Sequence, residues 1–262
     1  MMPPRQRRLI LSLLCCSAAA IAQDNPEAGR VERNGDRATL IVDGPRPVDS
    51  AAITLAQEFG MRVNAEDPPY VFKDDVTAPD FSRYPTLRRD VRIPKGGRLE
   101  VGFRIKPNGS PEDIPGLLNS LREAANAQFP FAYRLDVDGD WYSLVPTKTR
   151  DVLGRVIEIT PLLDRHVTIP PGKRSIAASA QLMADALSAQ TGLRVSCCQV
   201  GVAGIPWGIA EVRFEAHDEP ARDVLKRLIK AAAGRRETEY WLQRCDPLPS
   251  TWCFINVSRG PN

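Results

Sequence analysis

The chain has 262 residues, a formal net charge of +3 and 43% hydrophobic residues, enough apolar content for a buried core without a metal to hold it together. The excess positive charge lies at the start: removing Arg5, Arg7 and Arg8 from the 35 basic residues leaves them balanced against the 32 acidic ones. A neutral remainder gives no electrostatic reason to expect nucleic acid or an anionic membrane surface as partner.

Those first residues have the pattern of a cleaved secretion signal. Arg5 to Arg8 form a positive segment, Leu9 to Cys16 an apolar one, and Ala20-Ile21-Ala22 a small-x-small site before Gln23. The apolar run from Leu9 to Ala22 falls short of the roughly 20 residues a spanning helix needs. An exported, periplasmic protein without a membrane span is therefore expected. A lipid anchor at Cys15 or Cys16 fits less well, because bulky Leu14 or Cys15 would occupy the small-residue position before it. Cys197, Cys198, Cys245 and Cys253 remain after cleavage. In an oxidising compartment disulfides are the default, with three connectivities open. Cys245 and Cys253 flank the loop Asp246 to Ser250 between two apparent strands, so a staple across that hairpin is expected. The zinc alternative lacks paired Cys-x-x-Cys spacing and usable histidines.

In chain order, Gln23 to Asp36 is polar and reads as a mobile terminus. Ala38 to Val42 is a strand, and Asp43-Gly44-Pro45 a turn. A helix over about Val48 to Phe59 puts Ala52, Leu55, Ala56 and Phe59 on one face, with Gly60 just past its end. A strand begins at Arg62. From Asp67 to Gly97 five prolines break the pattern, and Val71-Phe72 and Val91 to Ile93 are the short strands expected there. Leu99 to Ile105 alternates as a half-buried strand. Ser110-Pro111-Glu112-Asp113 reads as a helix start, with Ile114, Leu117, Leu118 and Leu121 as its buried stripe. Phe131 to Leu135 and Trp141 to Val145 form a hairpin around Asp138-Gly139.

The second half repeats this plan. His166 to Ile169 is a strand, Pro170-Pro171-Gly172 a turn, and Ser175 to Thr191 a helix with Ile176, Ala180, Met183, Ala184 and Leu187 inward. Leu193 to Val195 and Glu211 to Ala216 are strands. Asp218 then caps a helix burying Val224, Leu225, Leu228 and Ile229, and Tyr240 to Leu242 pairs with Trp252 to Val257. Leu55 to Gly60 matches Leu187 to Gly192, and Met61-Arg62-Val63 matches Leu193-Arg194-Val195. Further on, Phe103 aligns with Phe214 at a smaller offset, so the first copy carries an insertion about 21 residues longer. The expectation is an α+β protein of two divergent βαβ-βαββ units, each a short mixed sheet packed with two helices. The first covers 38–148 with the insertion at 67–98, a linker covers 149–165, and the second covers 166–258.

One family has a similar layout. The segments Val167-Thr-Ile-Pro-Pro-Gly172, Ala186-Leu-Ser-Ala-Gln-Thr-Gly192, Leu193-Arg-Val195 and Pro220-Ala-Arg-Asp-Val-Leu-Lys-Arg-Leu228 resemble the secretin and TonB short N-terminal (STN) domain. That pattern is a strand, Ile-Pro-x-Gly, a helix ending in Gln-Thr-Gly, a strand, and a second helix whose leucines pack on the sheet. The resemblance runs from Val167 to Val257 and more faintly from Ala38 to Pro146. The helix before Gly192 is longer than the family's, the cysteines lie outside its pattern, and no β-barrel, secretin ring or plug follows before Asn262. The resemblance implies a periplasmic contact module between an outer-membrane machine and an inner-membrane partner, here acting in trans. It brings no catalytic residue.

His166 and His217 are the only histidines. His217-Asp218 has no Gly-x-Ser-x-Gly elbow to serve, so both are expected to be solvated loop residues. Asp136-Val-Asp138-Gly139-Asp140 begins like a calcium loop, but Trp141 holds its sixth position and Thr147 its twelfth, so a turn is expected. Asn108-Gly109-Ser110 is an acceptor motif disfavoured by Pro111, and Lys95-Gly96-Gly97 lacks the residues of a phosphate loop. Trp141, Trp241 and Trp252 sit in or beside strands, where packing explains them. Trp207, in the loop Gly204 to Gly208 near Cys197 and Cys198, is the contact candidate. The expected function is non-enzymatic, without cofactor or metal: a module binding an envelope protein such as a secretin or TonB-dependent receptor component through a sheet edge or helix face. The alternative is a glycan- or peptidoglycan-binding module using the tryptophans.

Overall fold

Strand β1 (Arg30–Asn34) turns at Gly35 and pairs antiparallel with β2 (Arg37–Val42). It lies where a mobile terminus was expected. The segment is too polar to show a strand pattern, yet its backbone has a partner in β2, and Arg33 pairs with Glu58 at 2.8 Å. A computed structural model describes residues 29–82, 90–197, 211–232 and 239–259. Helix α1 (Pro47–Phe59) starts with proline, whose missing N–H costs nothing there, and ends at Gly60 in the left-handed region (φ 62°). Strand β3 (Arg62–Glu66) follows.

In the insertion, a 3₁₀ turn (Lys73–Asp75) precedes β4 (Val76–Thr77), which pairs with β5 (Ile93–Pro94). The first of these strands was expected at Val71-Phe72. It is displaced because buried Asp75 turns back to Phe72 and ion-pairs with Arg150. Strand β6 (Leu99–Arg104) pairs with β2, and α2 (Ile114–Gln128) starts later than its sequence signal. Ser110 is tied to Asn108 Oδ1 and Pro111 bridges Ile105, so the cap falls to Asp113, which accepts from the Gly116 N–H at 2.9 Å. Strands β7 (Ala132–Asp138) and β8 (Trp141–Arg150) form the expected hairpin at Gly139 (φ 59°). The segment expected as a linker is ordered: β9 (Val156–Glu158) pairs with the end of β8, and fully buried Leu163 anchors a 3₁₀ turn (Leu162–Asp164).

Strand β10 (His166–Ser175) runs straight through Pro170-Pro171-Gly172, where a turn was expected. It pairs with β12 (Glu211–Pro220), and register breaks on both sides of Ile169 absorb the residues that lack an N–H. Helix α3 (Ile176–Thr191) is capped by Ser175 and ends at Gly192 (φ 71°), followed by β11 (Arg194–Cys197). Helix α4 (Ala221–Ala232) begins after Pro220. Asp218 is not its cap; it stays within β12 with φ 51°. Strands β13 (Glu239–Cys245) and β14 (Trp252–Arg259) close the second half.

The two halves share one topology. Antiparallel β2–β6 corresponds to β10–β12, and the order β3–β8–β7, with β3 parallel to β8, corresponds to β11–β14–β13. Each unit thus has two sheets rather than one. The alignment that equates Leu55 with Leu187 equates Arg62 with Arg194, and each of these arginines opens a parallel pairing opposite a tryptophan, Trp141 and Trp252. Strand β13 then pairs in parallel with β3 (Leu242↔Ala65, Gln243↔Glu66), fusing the three-stranded sheets in the order β11-β14-β13-β3-β8-β7.

Strand alternation distributes the side chains of this joint sheet to two cores. Val63, Ala65, Leu144, Tyr240 and Leu242 pack with α1 and α2. Trp141, Trp241, Cys253 and Ile255 pack with α3 and α4. The two helix pairs therefore cover opposite faces. Among the described residues, no helix is long and apolar enough to cross a membrane.

Candidate functional site

The junction between the units is held by buried charge as well as by strand pairing. Arg222 of α4 makes a bidentate pair with Glu66 of β3, Nε to Oε1 at 2.9 Å and Nη2 to Oε2 at 3.0 Å, and both side chains are buried. Arg222 also pairs with Asp164, whose other oxygen accepts from Arg134 at 2.7 Å. Lys226 reaches Asp138 at 2.9 Å. On the opposite face Arg244 pairs with Asp49, and Arg46 with Asp67, each at 2.7 Å. Asp67 continues the ladder: its N–H donates to the Gln243 carbonyl at 2.8 Å, and its carboxylate accepts from the Cys245 N–H at 3.2 Å. Asn64 does the same one rung away, accepting from the Trp241 N–H at 3.0 Å and donating to Ser143 Oγ at 3.1 Å. The carboxylates of the Asp136 to Asp140 hairpin engage Arg134, Arg222, Lys226 and Arg62, consistent with a turn rather than a cation loop.

Burial drives the Asp49 carboxyl up to about 7, with nearby Asp67 adding to it and Arg244 and Arg46 opposing. Burial raises Glu66 too, against the pull of Arg222. For Asp49 this means that the native protein binds more protons than the unfolded chain between about pH 4 and pH 7. Stability from this group is greatest below that window, falls as pH rises through it, and is level above it. Thermal melts at pH 4.5 and pH 7.5 are expected to show a smaller loss for Asp49→Asn than for the parent. Equal slopes would mean that Arg244 keeps Asp49 ionised throughout.

Next to the junction lies an aromatic contact. The Arg62 guanidinium sits over Trp141 at 5.3 Å, and Trp141 stacks on Trp241 of the other unit at 5.4 Å, leaving Trp141 only 4% exposed. The second unit carries a similar arrangement with less cover. Arg194 sits over Trp252 at 5.4 Å, Phe254 stacks on it at 5.7 Å, and Trp252 is 39% exposed. Trp252 borders an open cleft of about 490 Å³, lined also by Asp90, Arg92, Arg194, Asp246 and Ser250. The expected Cys245–Cys253 disulfide closes this hairpin, joining directly opposed residues. Its short loop makes it worth about 2–3 kcal/mol in the chain-entropy model.

The other sequence candidates fall differently. Trp207 and Cys198 lie outside the described residues. Cys197 is buried and disulfide-bonded, so it is not an exposed contact residue. Trp141 and Trp241 are core residues, as their strand positions suggested. Trp252 was grouped with them and is instead exposed; its equivalence to Trp141 across the repeat is the signal that would have singled it out. His166 and His217 are both exposed, His166 beside the Asp218 carbonyl at 2.8 Å and His217 beside Glu215. Gln190 and Thr191 of the Gln-Thr-Gly motif line a second cleft of about 360 Å³ between the units, together with Pro161, Leu193, Gln243 and Cys245. No group of three or more metal-ligating side chains is clustered among the described residues. Comparison with protein-family models, with curated proteins and with solved structures finds no match to this chain.

Proposed function

We propose that this protein is a non-enzymatic, exported interaction module that binds an envelope protein by strand addition. One observation carries the reading: the first unit's strand β3 and arginine-capped Trp141 receive the second unit, and the equivalent arginine-capped tryptophan of the second unit, Trp252, is 39% exposed. Strand addition supplies main-chain hydrogen bonds for affinity and a neighbouring side-chain pocket for specificity. The sequence resemblance to STN domains and the N-terminal signal pattern support the same reading. A photoreactive residue at position 252, activated in intact cells, is expected to capture one envelope protein of defined mass. Capture of nothing at any expression level counts against the reading.

The exposed Trp252 ring beside Arg194, Arg92 and Asp246 also favours a second reading, a glycan site of the peptidoglycan type. This reading predicts a change in tryptophan fluorescence on titration with soluble peptidoglycan fragments, abolished by Trp252→Ala. An unchanged response in that variant removes it.

A further inference from the structure

The second cleft, of about 360 Å³, lies where the two units and the segment joining them meet. Pro69 and Pro146 come from the first unit, Pro161 and Arg165 from the connecting segment, and Leu193 and Gln243 from the second unit. The prolines and Leu193 give it stiff apolar walls. Its size falls within the range of about 300–1,000 Å³ of small-molecule sites, which favour such interfaces between domains.

Two polar groups in this lining are unmatched. Gln243 is 1% exposed, and strand alternation turns it to the same face as Trp241 and Cys245. Its amide nitrogen donates to Cys245 Sγ at 2.9 Å, but its Oε1 accepts no hydrogen bond among the described residues. A buried carbonyl oxygen without a donor is costly, so this one marks a position where a donor belongs. Arg165 is half-buried at the cleft and forms no ion pair among the described residues. Its main chain is fixed by bonds to Leu162 and Ala221, which keeps the guanidinium beside the opening. Neighbouring groups do not compete. Asp67 pairs with Arg46 and accepts from the Tyr70 hydroxyl at 3.0 Å, so its charge is already balanced. Gln190 and Thr191 donate to the His166 and Leu187 carbonyls at 2.6 and 2.7 Å.

A ligand matching this lining supplies an anion, an N–H donor and an apolar group. The carboxy terminus of a peptide carries all three within one residue. We propose that the cleft binds the carboxy-terminal end of a peptide that finishes in an aliphatic residue. The planar guanidinium of Arg165 receives the carboxylate. Gln243 Oε1 accepts a main-chain N–H, and the aliphatic side chain lies against the prolines and Leu193. This site is separate from Trp252 and stands or falls independently of strand addition.

The test is isothermal titration calorimetry of the purified protein with N-acetyl-alanyl-leucine and with its carboxamide. The acid is expected to bind one to one, at least about tenfold more tightly than the carboxamide, the usual scale of a charge-assisted contact. Arg165→Gln is expected to abolish this preference while melting at the parent's temperature. Gln243→Leu is expected to weaken both ligands; if that buried change prevents folding, the Arg165→Gln comparison decides alone. Absence of binding by the acid at millimolar concentration overturns the proposal. So does equal affinity for acid and carboxamide, or a preference for the acid that survives Arg165→Gln. Binding lost in Trp252→Ala and kept in Arg165→Gln places the ligand in the other cleft and overturns it too.

Discussion

Arg222→Met is expected to lower the unfolding free energy by about 3–5 kcal/mol, the usual cost of leaving a buried ion without its partner. Glu66 is 1% exposed and receives both of its strong hydrogen bonds from this guanidinium. Methionine fills much of the volume but donates nothing, so the carboxylate must either bind a proton or open the junction to water. The double variant Arg222→Met/Glu66→Leu removes the stranded charge and is expected to recover most of the loss, since an apolar pair of similar volume usually does as well as a buried ion pair. Urea denaturation of both variants at pH 7, followed by intrinsic fluorescence, decides the matter. A single-variant loss below about 1 kcal/mol would place the pair in the class of solvated surface bridges, and strand pairing would then be the main tie between the units.

Trp241→Ala is expected to cost about as much, in the range of 3–5 kcal/mol for deleting a large buried aromatic. Trp241 is fully buried in the second core and supports Trp141, contributed to that core by the first unit, so its removal opens a void at the joint between the units. The distinguishing readout is local. Trp141 loses its ring partner and gains solvent, giving a red-shifted emission in the native baseline before any unfolding. A destabilised variant whose native emission is unchanged would show that the surrounding side chains collapse into the space and that the stacking itself is dispensable.

Much of the fold was legible because it rests on short-range rules. The glycines at 60 and 192 stop their helices in left-handed geometry, as their position after an apolar stripe implied, and Asp138-Gly139 turns its hairpin. The readings that moved are those where a distant partner overrules a local signal. Asn108 takes Ser110 away from capping, β12 carries the Pro170-Pro171-Gly172 segment as strand, and β2 orders a terminus with no strand pattern of its own. The candidate site was harder to read. Arg222, Glu66, Asp49 and Arg244 look like surface charges in the sequence, and only the fusion of β13 to β3 brings them together and buries them. The same fusion separates Trp141 from Trp252, two residues in one repeat position with opposite exposure.

The partners across the junction lie far apart in the chain: Arg222 and Glu66 are separated by 156 residues, and Asn64 and Trp241 by 177. Synthesis therefore delivers a first half whose sheet has one bare face, with Trp141 and a carboxylate meant for burial turned toward solvent until the last helix and hairpin arrive. Contacts of such long range are slow to form, and the waiting surface is adhesive. A nascent first half is the species that a holding chaperone would grip, and a chain truncated before α4 would aggregate rather than persist as an independent module.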